Sequence, residues 1–155
     1  MITRSIANTV VCLSLSLNVL GQNIYPEKIE GCNTELFSLE SKTPNAKKSN
    51  SSIASVIAKA IDKKVLKKTN GVLKIQVIAY EDYSSCMYSY ENRTNMLDQE
   101  LNMVAIKQAI DEQLIWDSVY ETCSPMIELY FKKGKIRVRR MGFDGNDGLH
   151  ELKDL

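Results

Sequence analysis

The chain has 155 residues, of which 44% are hydrophobic and 25% are charged, with 20 lysines and arginines against 19 aspartates and glutamates. Its near-neutral balance gives no overall field that would attract nucleic acid or an anionic membrane, so the composition excludes binding to either through net charge. This length is typical of a single domain that buries a genuine core.

The first stretch has the pattern of a cleavable signal peptide. Arg4 is its one charged residue, an apolar run covers residues 9–20, and Gly21 ends it with a small residue. This run is too short to span a bilayer as a helix, which needs about 20 apolar residues. We predict residues 1–21 as a signal peptide and Gln22 as the new N-terminus, and therefore an exported protein, periplasmic or extracellular, without stable membrane insertion. The alternatives are a membrane-tethering helix, a buried N-terminal helix, or a lipoprotein anchor at Cys12, which Val11 disfavours because a small residue is expected there.

Export changes the expected chemistry of the three cysteines that follow, Cys32, Cys86 and Cys123, because thiols outside the cytosol tend to oxidise. The odd number leaves one thiol over if a bridge forms. There is no CxxC motif, and His150 is the only histidine, so cysteine and histidine cannot supply four zinc ligands. We predict no metal site, no cofactor and no catalytic residue.

The mature chain begins with a polar segment, residues 22–50, which ends in a cluster of Ser, Asn, Lys and Pro typical of a linker. Residues 51–68 then show apolar side chains at helical spacing with lysines toward the end, which predicts a helix with one buried stripe. Asn70-Gly71 ends this helix. The alternating pattern after Gly71 predicts a half-buried strand.

A polar turn at residues 81–85 leads to a second strand that begins at Cys86. A longer helical pattern follows from Asn95 to about Gln113, and Trp116 beyond it is predicted to fill the core. Two more strands are predicted around the Lys133-Gly134 turn.

The resulting order, helix, strand, strand, helix, strand, strand, predicts an α+β fold with two helices on one face of an antiparallel sheet of about four strands. We assign this domain to residues 51–143, followed by a polar tail at 144–155. The direction of the long helix favours the strand order 2-1-3-4.

This topology places Cys86 and Cys123 at one end of the sheet, with the first strand between them and about 10 Å apart. The loop before Cys123 would have to fold over the first turn for the two sulfurs to meet, because 10 Å exceeds disulfide reach. We predict a Cys86–Cys123 disulfide, with Cys32 unpaired or linked to another chain. The alternative is that Cys86 and Cys123 are separate buried thiols.

Three stretches suggest a family: "NGVLKIQVIAYEDYSSCMYSYEN", the helix with "LNMVAIKQAIDEQLIWDSV", and "CSPMIELYF". Together they resemble the C-terminal domain of TonB-type energy transducers, with Gly71 opening the first strand, Asp82 at the turn and Trp116 at the family's tryptophan. The glycine after the turn aspartate and the prolines around the tryptophan are absent. The resemblance covers residues 52–132 and implies a bacterial envelope setting and protein binding through a sheet edge. The family's membrane anchor and Pro-rich spacer are not found, so it points to a stand-alone relative.

The stretch "KKGKIRVRR" has six basic residues in nine, and Lys135, Arg137 and Arg139 alternate onto one face of the last strand. One interpretation is an interaction stripe for an acidic partner, a lipid or nucleic acid. The other is that an edge strand carries charges that discourage aggregation between sheets. No stacking aromatics are interleaved, which argues against single-stranded nucleic acid.

We therefore expect a protein-binding domain without catalysis, whose partner is another protein or a second copy joined through a sheet edge, and not nucleic acid. The alternative is a small secreted hydrolase or inhibitor on a similar sheet.

Overall fold

The computed structural model describes residues 23–152, so the predicted signal peptide lies outside the described part of the chain. The described residues form four helices and ten strands. The helices are α1 (Asn50–Ala60), α2 (Lys63–Lys68), α3 (Asp98–Leu101) and α4 (Met103–Gln113). The strands are β1 (Glu27–Lys28), β2 (Ser38–Leu39), β3 (Ala46–Lys47), β4 (Gly71–Ala79), β5 (Ser85–Thr94), β6 (Ser118–Val119), β7 (Cys123–Ser124), β8 (Met126–Lys132), β9 (Lys135–Asp144) and β10 (Gly148–Glu151).

The main sheet has eight strands, six of them in the order β1-β5-β4-β8-β9-β10. β7 pairs with β4, and β2 pairs in parallel with β7, while β3 and β6 form a separate two-stranded sheet. The four long strands lie in the order β5-β4-β8-β9, which confirms the predicted order 2-1-3-4 and the α+β class. The predicted number of strands was too low. The short strands are too brief to show an alternating pattern in the sequence.

Both predicted helices are broken by local backbone geometry. Ile61 is extended (φ −105°, ψ 135°), and the Asp62 carboxylate then caps α2 by accepting hydrogen bonds from the backbone N–H groups of Lys64 and Val65. Asn102 separates α3 from α4 in the left-handed conformation at φ 57°, and its side chain caps α4. The first break turns a long predicted helix into two short ones and places α2 beside the β8–β9 turn.

The two faces of the main sheet differ in their covering. Leu73, Ile75 and Val77 of β4 point to the helices and belong to the main core cluster. The helix face also holds Trp116, which is 2% exposed and donates its indole N–H to the Ser85 hydroxyl at 2.8 Å. The prediction that Trp116 fills the core is thus confirmed. Period-two alternation turns the intervening residues, such as Lys74, to the opposite side, called the back face below.

The segment that precedes α1, predicted as a polar segment ending in a linker, packs against the sheet and contributes β1, β2 and β3. Tyr25, Glu40 and Ala46 of this segment are buried. The predicted C-terminal tail likewise supplies β10, which pairs with β9 from Met141 to Asp144. Among residues 23–152 there is no helix with the length and apolar character that crossing a membrane requires.

Candidate protein-binding surface

The outer edge of β5 is covered by the N-terminal segment. Glu27 and Lys28 of β1 pair with Tyr90 and Ser89, and the Ile29 N–H donates to the Tyr88 carbonyl oxygen at 2.8 Å. These contacts satisfy backbone groups that an edge strand would otherwise present to solvent.

The same segment also crosses the back face next to this edge. The Ile24 N–H donates to the Gln76 side-chain oxygen at 2.8 Å, and the Tyr25 N–H donates to the Ser89 hydroxyl at 3.4 Å. The Tyr25 side chain is 4% exposed, and burial raises the pKa of its hydroxyl. Phe37 packs edge-on against Tyr88, with 5.9 Å between ring centroids. The N-terminal segment therefore covers the back face beside β5.

A disulfide holds this cover in place, and it corrects the predicted pairing. Cys86 bonds to Cys32, with 5.7 Å between their α-carbons, and not to Cys123. Cys86 lies opposite Ile78 and Cys123 lies opposite Ala79, and these neighbours on β4 point to different faces of the sheet.

Strand β4 therefore separates the two cysteines that were predicted to bond, and alternation turns Cys86 to the back face and Cys123 to the core. Cys123 is a buried free thiol, and desolvation raises its pKa to about 12. Cys32 is available to Cys86 only because the N-terminal segment runs along β5, which no local pattern in the sequence revealed.

The outer edge of β9 differs from that of β5, because the described residues do not pair with its first half. β8 pairs with β9 from Lys135 to Met141 on one side, but on the other side β10 pairs only with Met141–Asp144. Within the described residues, the last backbone hydrogen bond on that side runs from the Leu152 N–H to the Arg140 carbonyl oxygen at 2.9 Å. Within residues 23–152, no strand pairs with the outer side of Lys135–Arg139.

Backbone alternation identifies which groups this edge presents. Because the Arg140 carbonyl points outward to Leu152, the N–H and C=O groups of Val138 and Ile136 also point outward. The described residues offer them no hydrogen-bond partner. This stretch, Lys135–Arg139, is called the open edge below.

The three residues of the predicted interaction stripe all lie on the back face of β9, but they differ in their surroundings. The Arg139 guanidinium lies over the Tyr130 ring, 4.9 Å from its centroid, and its Nε is 3.6 Å from a carboxylate oxygen of Glu151. Lys135 and Arg137 are exposed and form no ion pair with a described residue. Of the three stripe residues, Lys135 and Arg137 are therefore the two whose charged groups are free to contact a partner.

A shallow depression of about 550 Å³ lies beside these two cations, at the β8–β9 turn. Its lining residues come from both strands and the turn: Tyr130, Lys132, Lys133, Lys135, Ile136 and Arg137. Tyr130 donates its hydroxyl hydrogen to Glu128 at 2.5 Å, and this bond raises the pKa of Tyr130. The depression is thus basic at its rim, with an aromatic ring whose hydroxyl is already engaged.

Sequence reasoning missed a second charged centre, the buried ion pair of Arg140 and Glu40, which are 4% and 0% exposed. The Arg140 guanidinium also donates to the Ala46 carbonyl oxygen at 3.1 Å and lies 5.0 Å from the Trp116 ring centroid. Glu40 additionally accepts hydrogen bonds from the backbone N–H groups of Asn45 and Ala46, at 2.8 and 3.0 Å. The pair fixes the end of the N-terminal segment to β9.

A signal for Arg140 was present in the sequence. Ile136, Val138 and Arg140 share one parity on β9, so the two apolar residues indicate that Arg140 points to the core. Its partner Glu40, a hundred residues away, could not be found in this manner. A depression of about 580 Å³ adjoins Arg140 at the start of α1, lined also by Ser49, Asn50 and Ser51.

Within residues 23–152, no cluster of three His, Cys, Asp or Glu side chains could hold a metal ion. No family model, no curated protein and no solved structure matches the chain. The resemblance to TonB-type C-terminal domains and the hydrolase or inhibitor alternative both stay predictions.

Proposed function

We propose that the protein is an exported bacterial envelope or secreted protein that binds another protein by adding a strand at the open edge. The observation that carries this proposal is the outward backbone of Ile136 and Val138, which has no hydrogen-bond partner within residues 23–152. An extended peptide segment satisfies such groups by main-chain hydrogen bonds, and the side chains beside the edge give specificity.

The charges beside the edge indicate the chemistry of the partner. Lys135 and Arg137 project from the back face at alternate positions of β9 and are exposed. A segment with acidic side chains at alternate positions would place its carboxylates opposite these cations, and cross-strand pairs of opposite charge stabilise by about 0.2 to 1 kcal/mol each.

The same charges disfavour a homodimer through this edge. If two copies met antiparallel about the middle of the open edge, Arg137 would face Arg137, and Lys135 would face Arg139. Like charges directly opposite each other destabilise paired strands. The preferred partner is therefore a different protein with an acidic, extended segment.

Two findings support export. The Cys32–Cys86 disulfide is compatible with an oxidising compartment, and no helix within residues 23–152 could span a membrane. The resemblance to TonB-type domains, in which a sheet edge binds protein, agrees with the proposal.

The test selects binders to the protein from a displayed library of ten-residue peptides. NMR then follows the backbone amides of the protein as each selected peptide is added. We expect acidic residues at alternate positions, and the largest shifts at the Ile136 and Val138 amides. Ile136→Pro removes an outward N–H, which an edge strand tolerates, and should abolish binding. Ile136→Ala is the matched control, because it loses the same side chain but keeps the N–H.

Two results would overturn the proposal. One is equal binding by the Pro and Ala variants with both folded, as judged by circular dichroism. The other is a change at the Ile136 and Val138 amides on deletion of residues 153–155 but not on addition of peptide, which would mean that the chain's own terminus occupies the edge.

A further inference from the structure

One end of the molecule carries a dense group of cations that comes from two separate layers. α2 supplies Lys63, Lys64, Lys67 and Lys68, all exposed. The end of β8, the turn and the start of β9 supply Lys132, Lys133, Lys135 and Arg137, also exposed. These eight residues are called the basic end below.

The two groups adjoin in space. A β-carbon built on Gly134 would lie 3.4 Å from Cγ and 3.6 Å from Cα of Lys67, so α2 lies directly beside the β8–β9 turn. At about 100° per residue, the four lysines of α2 fall within an arc of roughly 140°, while Val65 and Leu66 turn to the core. The lysines of α2 therefore share one solvent face, next to those of the turn.

Few acidic side chains adjoin these cations, and they are engaged in hydrogen bonds. Residues 62–68 and 132–137 contain one, Asp62, whose carboxylate caps α2. Helix α3, which contacts α2, adds Asp98 and Glu100, which accept hydrogen bonds from the Tyr90 hydroxyl and the Leu97 N–H. None of the eight cations forms an ion pair with a residue of the described chain. The chain is near neutral as a whole, so this concentration of charge is local.

We propose that the basic end binds the surface of a membrane that contains anionic phospholipids. Seven of the eight cations are lysines, which act as hydrated point charges, whereas recognition of a single phosphate or base favours the fork of arginine. Each lysine or arginine near an anionic membrane surface contributes about 1 kcal/mol. The cations come from two adjoining elements, α2 and the β8–β9 turn, which suits a broad surface better than a single ligand.

A nucleic acid fits this end less well. Single-stranded nucleic acid needs open aromatic faces for stacking, and the ring of Tyr130, which lines the depression here, is covered by Arg139. An exported protein, as predicted from residues 1–21, would also meet membrane surfaces rather than nucleic acid.

The experiment measures binding to vesicles made of equal amounts of phosphatidylcholine and phosphatidylglycerol, with phosphatidylcholine vesicles for comparison. The protein is purified with its native processing. Lys64→Gln with Lys67→Gln should weaken binding about thirtyfold, from about 1 kcal/mol for each of two cations. The matched control, Lys42→Gln with Lys47→Gln, removes the same charge from exposed lysines outside the basic end and should change binding less than about twofold.

Binding should also fall as salt rises from about 0.01 to 0.15 M, because the Debye length falls from about 30 Å to about 8 Å. Equal binding to neutral vesicles, or equal loss in the two double variants, would overturn the proposal. Binding to duplex DNA in the absence of vesicle binding would do the same and would point to nucleic acid. Neither Lys64 nor Lys67 belongs to the open edge, so these variants can fail while the peptide-binding test succeeds.

Discussion

The two edges of the main sheet differ in how far their outward backbone groups are hydrogen-bonded. At Tyr88–Tyr90, the outer side of β5 is hydrogen-bonded by the N-terminal segment, which the Cys32–Cys86 disulfide fixes. At Lys135–Arg139, the outer side of β9 meets no strand of the described chain. Exposed edges invite pairing with other chains, and charged side chains are a common protection.

Under the proposed function, the covered edge serves stability and the open edge serves binding. The covered edge combines a disulfide with buried apolar side chains such as Tyr25. Within residues 23–152, the open edge combines backbone groups that have no hydrogen-bond partner with the exposed cations Lys135 and Arg137. Under the proposed function, these cations would repel a second copy and attract an acidic partner. Four measurements can break or sharpen this comparison.

The largest effect is expected at the buried ion pair that fixes the end of the N-terminal segment to β9. Glu40→Ala leaves Arg140 buried and uncompensated, and should lower the free energy of unfolding by about 3 to 5 kcal/mol. Denaturant unfolding measures the loss. Glu121→Ala, at an exposed acid that contacts the same segment, should change stability by less than about 0.5 kcal/mol.

Replacement of the pair in Glu40→Met with Arg140→Met should cost less than Glu40→Ala alone, because no unpaired charge stays buried. If Glu40→Ala and Glu121→Ala were equally mild, the segment would not depend on this anchor.

The disulfide should contribute the next largest effect. Cys32→Ser should lower the free energy of unfolding by about 2 to 4 kcal/mol, because the unfolded chain gains the freedom of the opened loop. Cys86→Ser and the double variant should give the same loss as Cys32→Ser, since each removes the same bond. Non-reducing peptide mapping should show Cys32 linked to Cys86 and Cys123 as a free thiol. A Cys86–Cys123 peptide would contradict the cover of the β5 edge.

Hydrogen exchange compares the two edges directly. The Ile29 amide donates to the Tyr88 carbonyl oxygen, whereas the Ile136 and Val138 amides have no acceptor among the described residues. We expect Ile136 and Val138 to exchange about tenfold faster than Ile29, or more, in the native state. Equal protection of the three amides would mean that the open edge is covered, for example by a second copy.

The smallest effect concerns pH and the β10 end of the sheet. Both ring nitrogens of His150 lie near carbonyl oxygens, those of Gly148 at 2.9 Å and Ser41 at 2.7 Å. Only the imidazolium can donate to both, and these hydrogen bonds, that to Gly148 first, raise the pKa of His150 above its usual value of about 6.5. Its contribution is complete below about pH 6.5 and is lost as pH rises through the raised pKa.

NMR titration should therefore give a pKa for His150 above about 6.5. After correction for intrinsic exchange, the β10 amides should be better protected near pH 6 than near pH 8, a difference that is absent in His150→Gln. A His150 pKa below its usual value would show that the two carbonyl contacts are not formed in solution.

Much of the central fold could be predicted because its signals are local and repeated. The alternation after Gly71 and around the Lys133-Gly134 turn predicted β4, β8 and β9, and chain direction then predicted their order. The helical breaks at Ile61 and Asn102 were missed because apolar spacing continues across both. Parity along β9 predicted that the three stripe residues share one face. It could not predict that Arg139 contacts Tyr130 and Glu151.

The sequence by itself determined the α+β class, the order of the long strands and the parity of β9, because period-two and period-3.6 patterns act over neighbouring residues. Only the tertiary structure decided that the N-terminal segment covers β5, that Cys86 selects Cys32, and that Glu40 meets Arg140 in the core. These choices depend on strands of two residues and on partners 54 and 100 positions apart, so no local pattern encodes them. The open edge follows from both. Parity on β9 determines which backbone groups point outward, and within residues 23–152 β10 pairs only with Met141–Asp144, which leaves those groups without a partner.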